Sequence, residues 1–393
     1  MTDLETPVAT PPRTGALRRA APALLGYAAV RALGLVALAL WSAANGKSAH
    51  TLLTARWDAL WYTRVAELGY GYEVRLPNGD VHSNLAFFPL LPWLERLVAA
   101  VTPLSYADAG LLVSTLASVA AAWGIFAVAD HVYGRRAGIC AVLVWAVLPV
   151  GIVQSMAYSE SLFTALAAWS LYAVLTGRWL TAGLLASLAG LTRPVGIAVV
   201  AALWVAAITS FAGDSVRDRS APRPWGAPVW RRALGVLLAP LGAAGYVLWV
   251  GHRTGKGPLG YLDVQAGWRN GFDGGYAFAR FVGDKFTSFP SALAGVGLIV
   301  GVALIVWLYV TCVRQGQPLP LLVYAGVVTA LALCASSYFG SKPRLLLPAF
   351  PLLLPLALSL ARLRTSRSAL VLGGVAVASA VYGAFWLNGS GPP

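Results

Sequence analysis

Residues 107–129 read ADAGLLVSTLASVAAAWGIFAVA, a run whose one ionisable side chain, Asp108, lies at its start. About 20 consecutive apolar residues are enough for a helix to cross the hydrocarbon core of a bilayer, so this stretch predicts a membrane span. Comparable runs cover 22–43, 137–153, 161–176, 195–211, 233–251, 291–311, 319–336, 345–360 and 369–387. A shorter run, 180–191, is expected to form a broken hairpin with the next span through Arg193-Pro194. Alanine, glycine and leucine dominate these runs, which suits close helix packing in lipid.

The whole composition agrees with this reading. Of 393 residues, 58% are hydrophobic and only 11% charged, whereas a soluble chain carries about 25% charged residues. The chain therefore reads as an all-α polytopic membrane protein built as one unit. Residues 1–21, rich in Pro and Thr and ending near Arg18 and Arg19, are expected to form a disordered cytoplasmic tail, followed by a retained anchor. Residues 22–393 would then form a single transmembrane domain. A net charge of +14 raises the possibility of nucleic acid, but no basic stripe or recognition motif accompanies it. Cys140, Cys312 and Cys334 lie in or at the end of apolar runs, and the four histidines show no ligand spacing. Neither a disulfide framework nor a metal site is expected, and no cofactor is implied.

The segment 86–101 is apolar but interrupted by Pro89, Pro92, Glu95 and Arg96. Placing it in the interface puts Arg135-Arg136, Arg178, the stretch 217–232, Arg314 and 362–367 on one side, satisfying the positive-inside rule at every short loop. Eleven spans are expected, with the N-terminus inside and the C-terminus outside. The loop 44–106, the turn at Tyr158-Ser159-Glu160, and the loops around Arg193, 252–290 and 341–344 then share the extracytoplasmic face, and they hold most of the chemistry-capable side chains.

In that first loop, helical spacing puts Trp57, Trp61, Val65 and Leu68 on one stripe, with Asp58 and Tyr62 beside it and Gly69 as a stop. This predicts an amphipathic helix lying on the bilayer. Asp58 is as well suited to capping that helix as to chemistry, and spacing alone leaves the two level. Glu95 and Arg96 read as a local pair, and a helix cap is the better reading of Ser159 or Glu160 taken alone. Arg193, Lys342 and Arg344 have the bland reading of snorkelling to headgroups. Together on one face, they also fit a clamp for a phosphate-bearing lipid. Arg31, inside the first run, needs a partner or a cavity that the sequence does not name.

These motifs in this order resemble the PIG-V-type mannosyltransferases, the GPI mannosyltransferase 2-like family. The resemblance runs from Arg56-Trp57-Asp58, Tyr62 and Gly69-Tyr70 through Phe87-Phe88-Pro89-Leu90 with Pro92 and Tyr158-Ser159-Glu160-Ser161. It continues in Thr192-Arg193-Pro194 with Gly196 and Lys342-Pro343-Arg344-Leu345, spanning about Trp57 to Pro351. It implies a GT-C glycosyltransferase fold, interfacial helices in the first extracytoplasmic loop, a polyprenyl-phosphate sugar donor (typically mannose) and inversion at the anomeric carbon. The family's acid would fall on Asp58, as general base toward the acceptor hydroxyl of a glycan, glycolipid or protein. Arg193, Lys342 and Arg344 would neutralise the leaving phosphate, while Tyr158 and Glu160 position substrate. Arg56, Trp57, Trp61 and Tyr62 would line the sugar site, and Phe88 and Pro89 a groove for the lipid tail. The loop has no DXD pair, which departs from some GT-C relatives. The Ala/Arg/Val-rich, Lys-poor composition suggests a high-GC bacterium, so the GPI acceptor of eukaryotic members is not carried over. A lipid-linked sugar flippase would share the grooves and basic contacts, but it calls for charges along a membrane path, and only Arg31 qualifies.

Overall fold

The computed structural model describes residues 13–216, 228–336, 338–389 and 391. The start of the expected tail and most of the basic stretch 217–232 lie outside the described residues. The chain opens with a long helix, α1 (Arg13–Ala44), then α2 (Ala49–Thr54), α3 (Asp58–Leu68), a hairpin of β1 (Glu73–Arg75) and β2 (Val81–Ser83), and α4 (Leu90–Val101). The central helices follow: α5 (Tyr106–Tyr133), α6 (Arg135–Ala146), α7 (Ser159–Leu175), α8 (Trp179–Gly190) and α9 (Ile197–Val216). Next come α10 (Val229–Leu238), α11 (Leu241–Thr254), α12 (Gly260–Gly267), the short strand β3 (Gly271–Phe272) and α13 (Tyr276–Asp284). The chain closes with α14 (Phe289–Arg314), α15 (Leu319–Cys334), β4 (Ala335–Ser336), α16 (Lys342–Leu345), α17 (Leu354–Arg362) and α18 (Thr365–Asn388). Strand β4 pairs with β3, tying the end of α15 to the preceding loop.

Every expected apolar run contains an α-helix, yet among the described residues only six helices are long and apolar enough to cross a membrane. They lie at Gly15–Ala44, Tyr106–Tyr133, Pro194–Ala212, Val229–Thr254, Phe289–Arg314 and Thr365–Asn388. A seventh arises if Phe339–Leu345 and Phe350–Arg362, bent by 76°, count as one. Helices α7, α8 and α15 are apolar but shorter. Run 137–153 is cut at Ala146, three residues before Pro149, because a residue preceding proline is driven out of helical geometry. The count of eleven is therefore not reached by length.

Small residues let these helices approach. Gly124 of α5 lies against Ala168 and Trp169 of α7. Gly183 of α8 meets the backbone of Gly235 in α10, and Gly242 of α11 meets the carbonyl of Ser187; a methyl group at either glycine would collide with main chain. Lipid offers no hydrophobic drive between helices, so such backbone approach supplies the packing. Helix α14 turns Leu293, Val300, Leu304 and Trp307 outward, and α18 turns out Leu370, Val377 and Phe385. Apolar bands of that extent belong in hydrocarbon. The chain is an integral membrane protein.

Two ends are defined by contacts. At one, Arg19 pairs with Asp130 at 2.7 Å, Arg135 donates to the Arg19 carbonyl at 3.2 Å, and Arg136 reaches the Leu363 carbonyl. At the other, Asn388 donates to Ser42 at 3.2 Å and His50 meets Asp108 at 2.6 Å. Between α6 and α7, residues 147–158 run without an α-helix, and from Gly151 on they are buried. Unpaired backbone groups are costly there, and side chains satisfy them. Gln154 donates to the Trp145 carbonyl at 2.8 Å and Ser379 to that of Leu148 at 2.7 Å. Arg31 donates to the carbonyls of Ala146 and Gly151, which are the partners its sequence context left unnamed.

Of the expectations for the first loop, one agrees with the structure and two change. Helix α4 has 12 residues, about 18 Å, too short to span, as its interfacial reading required. Glu95 does not pair with Arg96: it is fully buried against Gly110 of α5, with neither oxygen hydrogen-bonded. Helix α3 does stop at Gly69, but its buried face is Ala59, Tyr62, Val65 and Ala66, packed on α4 and α5. Leu68, placed on the apolar stripe by spacing, is 63% exposed. The helix leans on protein, so its inward face is set by α4 and α5.

Candidate active site

The segment Arg56-Trp57-Asp58 turns sharply. Trp57 has φ +51°, a conformation that L-residues avoid at a cost of roughly 1–3 kcal/mol, and such strain clusters at functional sites. The Arg56 guanidinium lies 4.0 Å over the Trp57 ring and reaches the Leu387 carbonyl at 3.3 Å, which pins the turn. Asp58 is the first residue of α3, and the capping position before it is Trp57. The cap reading of Asp58 thus gives way: its Oδ2 accepts from Arg344 Nη1 at 2.7 Å. A carboxylate in the first helical turn is also favoured by the helix dipole.

Glu160 is the second residue of α7, whose capping position is Tyr158 with no side-chain cap, so the cap reading of Ser159 or Glu160 does not hold. Its Oε1 lies 2.5 Å from Arg193 Nη1 and 3.3 Å from Arg344 Nε, as ion pairs, and neither Glu160 oxygen receives a hydrogen bond of good geometry. Arg193 sits at the corner between α8 and α9, where Pro194 starts a short 3-10 turn. Its Nη1 also donates to Ser159 Oγ at 3.1 Å, and Ser159 Oγ shares a 2.7 Å hydrogen bond with Tyr62 OH. Tyr158, fully buried, lies with its ring 5.0 Å from the Arg344 guanidinium carbon. The result is an alternating chain, Asp58–Arg344–Glu160–Arg193, drawn from α3, α16, α7 and the α8–α9 corner. It lies at the end where α2 meets the start of α5, opposite the Arg19–Asp130 end.

Burial is deepest in the middle of this chain. The Glu160 side chain is 2% exposed, Arg344 9%, Arg193 13% and Asp58 25%, so Asp58 is the member that solvent or substrate reaches first. Burial pulls the Arg193 guanidinium down, but Glu160, Tyr62 and Asp58 together outweigh that and leave the net shift upward. Burial pushes the phenols of Tyr62 and Tyr158 above their ordinary range, which keeps both protonated. Fixed donors around an accessible carboxylate suit proton abstraction next to a developing anion.

Other expected members go elsewhere. Lys342 donates to the carbonyls of Ala332 (2.8 Å), Ala335 (2.9 Å) and Leu333 (3.3 Å), closing the C-terminus of α15 under the rings of Phe278 and Phe339. A cation is favoured at a helix C-terminus, and this use takes Lys342 out of the clamp. Phe88 and Pro89 are buried within the protein. Phe88 packs 4.4 Å from Tyr246 and 5.5 Å from Tyr261, and Tyr246 OH donates to the Leu85 and Phe87 carbonyls. Trp61 lies beside the site, stacked on Phe87 at 5.6 Å with Trp268 edge-on at 4.9 Å. Ser159, read from the sequence only as a candidate helix cap, is the bridge between Tyr62 and Arg193. Trp268 and Tyr246 carry no spacing signal in the sequence. Among the described residues, no three His, Cys, Asp or Glu side chains form a metal-holding group.

Residues 84–222 match the family described as dolichyl-phosphate-mannose-protein mannosyltransferase. The match covers about a third of the chain, with Glu160 and Arg193 inside it and Asp58 and Arg344 outside. The structure is similar to ArnT from Cupriavidus metallidurans bound to undecaprenyl phosphate, with TM-score 0.51 and 18% identity over 86% of this chain. It is also similar to the same protein in the apo state, with TM-score 0.50 and 16% identity over 92% of this chain. The chain spans 62% of the length of those ArnT chains. No curated protein sequence matches it. The fold is that of the GT-C membrane glycosyltransferases. The matched family description is not the PIG-V type that the motifs resemble; the two share the GT-C class.

Proposed function

We propose that this chain is a membrane glycosyltransferase that moves a hexose, mannose by family habit, from a polyprenyl-phosphate sugar to a hydroxyl acceptor, with inversion. The observation that carries the reading is the accessible carboxylate of Asp58, held 2.7 Å from a nearly buried guanidinium that also meets Glu160. Asp58 is the general base, for which an ionised carboxylate needs placement more than a raised pKa. Arg344 stabilises the leaving phosphate, Arg193 behind it holds Glu160 and Ser159, and Tyr62, Trp61 and Tyr158 border the sugar site. The fold likeness to ArnT with undecaprenyl phosphate supports a polyprenyl-phosphate donor. The matched mannosyltransferase family and the PIG-V-type motifs both favour mannose. Residues 22–393 act as one domain, with loop 44–106 carrying the base. The Arg19, Arg135 and Arg136 end faces the cytoplasm by the positive-inside rule, which puts the site on the extracytoplasmic side.

Membranes carrying the wild type are expected to transfer label from polyprenyl-phosphate [14C]mannose to an extractable lipid, glycan or protein, and Asp58→Asn membranes are not. Wild-type rates in Asp58→Asn would remove Asp58 from the mechanism. Labelling a cysteine placed in loop 44–106 from the cytoplasmic side would overturn the sidedness.

A further inference from the structure

We infer that Arg344 serves two anions in turn: it holds the Asp58 carboxylate before reaction and passes to the departing lipid phosphate as Asp58 takes up the acceptor's proton. This rests on the glycosyltransferase reading of the site. Asp58, Arg344, Glu160 and Arg193 form a cluster of zero net charge in which both guanidiniums are already engaged. A phosphodiester arriving with one negative charge meets no spare cation within the cluster, so it must draw on one in use. Arg193 is committed to the nearly buried Glu160 and to Ser159. Arg344 reaches the outermost member, Asp58, through Nη1 and Glu160 through Nε, and its Nη2 bonds to no group among the described residues. That open nitrogen admits a first phosphate contact while the Asp58 pair is intact.

The charges then balance through the step. The acceptor O–H bond breaks and its proton goes to Asp58. The acceptor oxygen forms a bond to the anomeric carbon. The bond from that carbon to the phosphate oxygen breaks with its electron pair on oxygen. Asp58 loses one negative charge as the phosphate gains one, so Arg344 faces one added unit of negative charge on the phosphate in exchange for the one that left Asp58. No other cation has to enter.

The test is the affinity of the purified protein for undecaprenyl phosphate. In Asp58→Asn the carboxylate's claim on Arg344 is gone, and affinity is expected to rise about ten-fold, the scale of one hydrogen bond to a charged group. Arg344→Gln is expected to weaken binding, and Asp58→Asn added to Arg344→Gln to bring no gain. Asp58→Ser repeats the measurement should the Asn variant fold poorly, and saturable binding certifies either protein. Affinity of both Asp58 variants within two-fold of wild type overturns the inference. So does an equal gain in the Arg344→Gln background, which would mark a general charge effect. If the wild type transfers labelled sugar but these affinities do not move, the handover alone fails. A wild type that neither binds undecaprenyl phosphate nor transfers sugar overturns the glycosyltransferase reading with it.

Discussion

Replacing Glu160 with Gln keeps the size of the side chain and removes the charge that separates two guanidiniums. At an effective dielectric of about 20, unit charges at the observed 2.5 and 3.3 Å attract by roughly 7 and 5 kcal/mol before any desolvation is subtracted. Desolvating each ion costs several kcal/mol, and mutational experience with buried pairs puts the net loss on removing one partner at about 3–5 kcal/mol. Glu160→Gln is therefore expected to lower unfolding free energy by about 3 kcal/mol or more, because Arg193 and Arg344 are left to repel each other in a poorly solvated site. The same logic predicts partial rescue. Adding Arg193→Gln removes the stranded charge and is expected to recover about half of the loss, giving a coupling energy well above the few tenths seen for independent sites. Denaturant unfolding of the four proteins of this cycle in mixed micelles measures it. A Glu160→Gln variant within about 1 kcal/mol of wild type, or strictly additive losses, would refute the electrostatic reading of the chain.

Glu95 supplies a pH test. Burial pushes its carboxyl well above the ordinary value, so the folded state holds a proton that the unfolded state gives up. Stability from this group is complete at pH below the ordinary glutamate range and declines as pH rises from there toward the raised folded pKa. Glu95→Gln is expected to flatten that decline and to equal or exceed the wild type at pH 7 and above; an unchanged pH slope in unfolding experiments would count against a protonated Glu95. Lys342→Met removes three donors from the C-terminus of α15 and is expected to cost about 1–3 kcal/mol of stability. Its affinity for undecaprenyl phosphate should stay within about three-fold of wild type, and a ten-fold loss with stability intact would return Lys342 to the phosphate clamp.

Much of the fold was legible from apolar run length, since each expected run contains an α-helix. Span number was not, because a helix buried by neighbours, such as α7 or α8, need not match the bilayer thickness. The site was legible in its charged members, which stand out in a chain with so few charges. Their pairing was not, because Asp58 and Arg344 are far apart in sequence and only the packing of α16 beside α3 joins them. Lys342 and Arg344 share a four-residue helix yet take opposite jobs. Two residues apart, the side chains leave a helix about 200° apart, a difference that a reading of basic clusters does not see. Phe88 misled for a related reason. An aromatic next to proline at a predicted interface suggests a lipid groove, but its partners Tyr246 and Tyr261 come from distant helices.

The four charged residues have one local property in common: each stands where regular backbone is interrupted. Asp58 follows the positive-φ Trp57, and Glu160 follows the irregular stretch after Pro149. Arg193 precedes Pro194 at the α8–α9 corner, and Arg344 follows Pro343 in the segment bent by 76°. In a membrane interior, interrupted backbone is tolerated only where protein groups or water satisfy it. A break therefore needs polar neighbours, and a charged side chain needs a place where it is not facing lipid. Each requirement is met at the other's position. The carbonyls freed after α6 are taken by Arg31, Gln154 and Ser379, which leaves the charges at the mouth to pair with one another. Supporting groups absorb the cost of the breaks, and Asp58 and Arg344 stay available for chemistry.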